Sequence, residues 1–136
     1  MPNYWLLKTE PSTYSFDRLV EEGRAVWDGV RNNLALLHLR AMKEGDRVFI
    51  YHSGSEKAII GTARVLSAAY PDPTQRDSKL VVVDIAPDTR LPKPVSLATI
   101  KADAALSGMP LVRMPRLSVM PVTAEQWRHI HGLAGK

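Results

Sequence analysis

Trp27-Asp28-Gly29-Val30-Arg31-Asn32 sets an indole, a carboxylate, a guanidinium and an amide in one short run, and Tyr51-His52-Ser53 follows further along the chain. The run has no apolar period, so it fills neither a helix face nor a strand face. It reads as a connection that holds hydrogen-bonding groups around an aromatic surface. A planar, polar ligand such as a nucleobase needs that combination.

Each of these side chains has a second reading. Trp27 stacks on a base or fills the core where the loop crosses the sheet. Asp28 accepts from an exocyclic amine or binds nearby backbone N–H groups. Arg31 meets a phosphate, or pairs with Asp28 or Glu10. Asn32 is first a helix cap and second a base reader. Tyr51 and Ser53 share one strand face and His52 takes the other. Trp5 and Trp127 read as packing. Arg116, ahead of Leu117-Ser118-Val119, reads as an anchor to the backbone before a phosphate contact.

Catalytic readings are thinner. His129 and His131 stand two apart and face different sides of a helix, and His38 and His52 have no ligand at metal-binding spacing, so no metal is expected. No phosphate loop and no Gly-x-Ser-x-Gly elbow occurs. Asp28 and His52 form the one acid/base pair worth naming, which keeps a small hydrolase or base-processing enzyme as the alternative. No catalytic cofactor is implied.

The elements that must position these groups are legible in outline. Tyr4 to Lys8 reads as a buried strand ending at Thr9-Glu10-Pro11. Ser15 caps a short helix through Phe16, Leu19 and Val20 that ends near Gly23. Asn32 or Asn33 caps a second helix to about Met42, with Leu34, Leu37 and Ala41 at helical spacing. Residues 47–52, 58–69 and 80–86 read as strands, the second interrupted by Gly61, which marks a bulge or a close approach, and the third continuing irregularly past Pro87. Pro71-Asp72-Pro73 is a turn. Ser96 to Asp103 is a short helix, Leu117 to Val122 a late strand, and Thr123 with Gln126 a capping box for a final helix.

The 136 residues suit one domain spanning 1–136, with 45% hydrophobic residues for a core. The absence of cysteine excludes disulfides and thiolate metal sites. No apolar run is long enough to cross a bilayer, and the start lacks the pattern of a signal peptide, so a cytoplasmic protein is expected. A net charge of +4 favours nucleic acid only weakly.

Tyr4 to Pro11, Trp27 to Asn32, Tyr51-His52-Ser53, Tyr70-Pro71-Asp72-Pro73, Ile100 to Asp103 and Arg116-Leu117-Ser118-Val119-x-Pro121 together resemble the EVE domain family, in order and over nearly the whole chain. The resemblance implies an α+β domain with a PUA-like, mostly antiparallel β-barrel flanked by short helices. It implies kinship with YTH domains, which read methylated adenine in an aromatic cage. It also implies a non-enzymatic module that reads a modified base in DNA or RNA, with modified cytosine the leading choice. Lys8-Thr9 looks like the Lys-Ser pair after the first YTH strand, and Trp27 falls where the first cage tryptophan lies. Lys8, Thr9, Trp27, Asp28, Arg31, Asn32, Tyr51 and Ser53 are thus the candidate ligand residues. The chain departs from the family pattern at Asn33, Leu36 and Leu37, where members commonly carry Tyr, Arg and Asn. Gly54 to Lys57 supplies no second aromatic wall, and the remaining alternative is a protein-interaction domain with a vestigial pocket.

Overall fold

The computed structural model describes residues 2–135. One curled sheet carries the chain, in the order β2-β6-β4-β3-β1-β7, with β5 beside β6. Next to its end strand β7 lies β1 (Tyr4–Thr9), whose Trp5, Leu6 and Leu7 are buried. β1 runs parallel to β3 (Arg47–His52) and antiparallel to β7 (Val119–Val122). β3 pairs antiparallel with β4 (Ala58–Val65), and β4 with the long β6 (Val81–Ser96). β2 (Ala25–Trp27) and β5 (Tyr70–Pro71) both add to β6. The barrel is therefore mostly antiparallel, with one parallel pair. Its end strands, β2 and β7, do not pair with each other among the described residues.

Helices close the apolar faces. α1 (Phe16–Glu22) starts at Ser15, whose side chain accepts from Arg18 N–H, and stops at Gly23, whose φ of 74° suits glycine. α2 (Asn33–Ala41) is capped by Asn32 and buries Ala35, Leu36 and Leu39. α3 (Leu97–Ala102) is capped by Ser96. α4 (Pro110–Arg113) is one turn with proline at its start. α5 (Ala124–Leu133) opens on the Thr123–Gln126 capping box and buries Trp127 and Ile130. Trp127 stacks on Phe49 at 4.0 Å and on Tyr4 at 4.6 Å between ring centroids.

Several strand limits differ from expectation. The strand expected over 58–69 stops at Val65, and the expected Pro71 turn begins as β5. The strand expected over 80–86, with an irregular continuation past Pro87, runs on as far as Ser96 through Pro92 and Pro94. It does so because its pairing with β4 jumps from Arg90↔Gly61 to Val95↔Ile59, leaving residues 91–94 to bulge where no ladder donor is needed. The late strand begins at Val119 rather than Leu117. Trp27 closes a short strand instead of opening a connection.

Candidate functional site

The end of β1 is braced by its own loop. Thr13 and Tyr14 donate their backbone N–H to Glu10 O at 2.9 Å each, and the Thr9 hydroxyl donates to Tyr14 O at 2.7 Å. This turn holds Tyr14 just ahead of the Ser15 cap. Across from it, β2 returns along β6 and delivers Trp27, and Gly29 turns the chain with a φ of 77° that glycine tolerates. Between them lies a cavity of about 630 Å³, lined by Lys8, Thr9, Tyr14, Trp27 and Asp28 among others.

Two aromatic rings wall it. Tyr14 meets Trp27 edge to face, with centroids 6.0 Å apart and planes at 84°. Trp27 is only 8% exposed, so its two readings coincide: most of the indole is core, and what remains open borders the cavity. The Tyr14 hydroxyl donates to Glu22 Oε1 at 2.7 Å, and Arg18 Nε meets Glu22 Oε2 at 3.2 Å. Burial, then the Glu22 hydrogen bond and charge, push the Tyr14 phenol up to about 12. Tyr14 thus stays neutral, with its proton committed to Glu22.

The polar groups divide into a donor and an acceptor. Lys8 is half-buried, and desolvation holds its amine below the usual lysine range. Its Nζ donates to Pro115 O at 2.8 Å and stands 5.7 Å from the Tyr51 ring centroid. No carboxylate pairs with Lys8 among the described residues, and two of its three donors remain. Asp28 is exposed and has no hydrogen bond or ion pair among the described residues, so of its two readings the backbone contacts are not made. The Thr9 hydroxyl, having spent its proton, offers only lone pairs.

Four candidates lie elsewhere. Asn32 accepts from Ala35 N–H at 3.0 Å as the α2 cap. Tyr51 is buried below Lys8, and Ser53 Oγ reaches Thr9 O at 3.3 Å, so both support the end of β1 and neither lines the cavity. Arg31 is exposed beyond the Gly29-Val30 ridge, beside Asp72, and forms no ion pair with Asp28 or Glu10. Arg116 is exposed and makes no anchoring hydrogen bond among the described residues.

The Asp28–His52 acid/base pair is not assembled. His52 is buried; its Nε2 accepts Phe16 N–H at 3.0 Å, so Nδ1 carries the proton and donates to Glu56 Oε1 at 2.9 Å. Both ring nitrogens hold the fold together. His129 meets Asp103 at 2.6 Å, and no cluster suited to a metal occurs among the described residues. No helix there is long and apolar enough to cross a membrane.

Sequence reasoning missed Tyr14, Arg18 and Glu22. Their spacing of four and four was the available signal, since it stacks side chains on one face across the Ser15 cap.

A curled, mostly antiparallel sheet with helices over its open faces and a cavity at the end of β1 defines a PUA-like domain. The EVE domain model matches residues 3–133, and the chain belongs to the EVE domain family. It is 32% identical to mouse thymocyte nuclear protein 1 over 98% of this chain and 74% of that protein. A Rhodopseudomonas palustris protein solved by NMR is 48% identical, with a TM-score of 0.93 over 98% of this chain and 93% of the other. The crystal structure of human THYN1 protein in complex with DNA containing 5-methylcytosine is 28% identical, with a TM-score of 0.90 over 98% of each chain.

Proposed function

We propose that this domain is a non-enzymatic reader of a modified cytosine in DNA, taking the base, flipped out or single-stranded, into the cavity beside Trp27 and Tyr14. The observation that carries the reading is the pairing of those two aromatic walls with one free donor and one free acceptor, Lys8 and Asp28. Cytosine presents a donor at N4 and acceptors along the rest of its pairing edge, so Asp28 suits the amine and Lys8 the acceptors. Val26, exposed at the cavity, offers apolar contact to a 5-methyl group. The complex of the human relative with 5-methylcytosine DNA favours DNA and this modification. The committed nitrogens of His52 speak against the acid/base alternative.

Fluorescence anisotropy with matched oligonucleotides, carrying cytosine or 5-methylcytosine, single-stranded and duplex, tests this. The methylated strand is expected to bind more tightly. Asp28→Ala should cost about 1–3 kcal/mol for cytosine-type bases and less for a base without the amine. Mass spectrometry should find the oligonucleotide unchanged. Equal affinity for every base, or a covalent change in the strand, would refute the reader.

A further inference from the structure

The rim of the cavity is electrostatically lopsided. On the α1 side both arginines are engaged: Arg18 with Glu22 at 3.2 Å, and Arg24 with Asp84 at 2.9 Å. On the other side of the Gly29-Val30 ridge, Arg31, Arg40 and Lys79 have no carboxylate within 4.0 Å among the described residues. Gly29 and Val30 border both the main cavity and a small one that also touches Arg31, Gln75 and Leu80. Arg40 donates to Lys79 O at 2.8 Å, which seats its guanidinium next to Leu80 and that same small pocket. The carboxylates nearby are turn groups. Asp72 is buried and takes the Thr74 N–H and hydroxyl at 2.9 and 2.6 Å, and Asp77 takes Lys79 N–H at 2.9 Å. Gly29 itself has open space where a side chain would stand.

We propose that the face formed by Arg31, Arg40 and Lys79 holds the phosphodiester backbone of the strand whose base enters the cavity, the strand crossing at Gly29. The inference rests on the nucleic-acid reading above. Arg31 lies close enough to the turn carboxylate of Asp72 to help hold it ionised. Neither it nor Arg40 nor Lys79 has an ion-pair partner among the described residues, whereas the α1-side arginines are paired, which gives the backbone one favoured flank. Arg31 precedes α2 and Arg40 stands in its last turn, about 10 Å further along the helix at about 1.5 Å per residue, so the two guanidinium groups come from opposite ends of α2.

The test is a salt series with methylated and unmethylated oligonucleotides of one sequence, using wild type, Arg31→Gln/Arg40→Gln, and Arg128→Gln as control. Arg128 is exposed on α5 beside a different groove. Glutamine at 40 keeps a donor for Lys79 O. The slope of log affinity against log salt should become shallower by up to about 1.4–1.8 in the double variant, at roughly 0.7–0.9 per contact. The preference for the methylated strand should persist, and the control should match wild type. If the double variant fails to fold, Arg31→Gln alone should give about half the change in slope. A slope unchanged in the folded variant, or reduced equally in the control, overturns the phosphate face. Wild type that shows the slope without any methyl preference overturns the reader and leaves the face standing. Wild type that binds no oligonucleotide at low salt overturns both.

Discussion

The ring of Phe16 rests on the backbone of Gly61: a Cβ built at Gly61 would lie 2.5 Å from Phe16 Cζ and under 3 Å from two further ring atoms. Phe16 opens α1, and its N–H is held by His52 Nε2. The contact therefore fixes the height of α1 over β4, and with it the Tyr14-Arg18-Glu22 wall. Gly61→Ala is expected to lose about 1–3 kcal/mol by overpacking, because the fully buried ring has nowhere to retreat. Urea denaturation measures the loss. Adding Phe16→Leu should recover part of it, and strictly additive losses would show that the two residues do not press on each other.

Trp27 joins core and cavity, so loss of its packing must be separated from loss of the base stacking proposed for it. Trp27→Ala is expected to cost about 3–5 kcal/mol of stability, as large-to-small changes in cores do. Trp27→Phe keeps most of the packing and should reduce binding with a much smaller fall in melting temperature. If Trp27→Ala melted like wild type, the indole would not be the core group that its burial makes it.

Tyr14 gives a pH signature. Its phenol is raised on folding to about 12 by burial and by Glu22. A phenol raised above its ordinary value of about 10 stabilises the fold below that pH and loses this contribution as pH climbs through the folded value, so stability should fall between about 10 and 12. Absorbance titration of phenolate, wild type minus Tyr14→Phe, should show the late step. Glu22→Gln should bring the step to lower pH, and a Tyr14 step at the ordinary tyrosine position in the wild type would contradict the arrangement.

Asp46 anchors the far end of β1. It is 3% exposed and accepts from Trp5 Nε1 at 2.9 Å and from the backbone N–H of Asn3 and Lys43 at 3.0 Å each. Asp46→Ala leaves these donors unmatched, and each donor left dry costs about 1–3 kcal/mol. Asp46→Asn keeps an acceptor and should lose less. Equal losses in the two variants, read by chemical denaturation, would mean that hydrogen bonding is not what the carboxylate supplies.

The parts of this fold visible in the sequence are those set by local chemistry. Ser15, Asn32, Ser96 and Thr123 cap helices because each side chain reaches its own backbone a few residues on. Gly61 was legible as a close approach, although its partner was not, since Phe16 lies far away in sequence. The same limit applies to the cavity. Trp27, Asp28, Lys8 and Thr9 stood out by type or by resemblance, whereas Tyr14 becomes a wall only through the turn at Glu10 and the return of β2 along β6. Pro92 and Pro94 fit within β6 only because residues 91–94 bulge against Ile59 and Gly61, a pairing that depends on β4 and is not visible in the local sequence. Arg31, Tyr51 and Ser53 are near the Trp27 loop or β1 in the chain or the sheet, yet side-chain direction puts them outside the cavity.

β1 lies between β3 and β7, and the Lys8 N–H donates to Ser118 O, which also helps to line the cavity. A nascent chain emerging from the ribosome can therefore pair its first strand with β3 early, but must wait for residues near 118–122 before the other edge is sealed. Until then β1 shows an unpaired edge and the cavity lacks one side. Completion of the cavity is consequently a late event in synthesis, and a product cut short before Ser118 would present an unpaired, sticky strand edge.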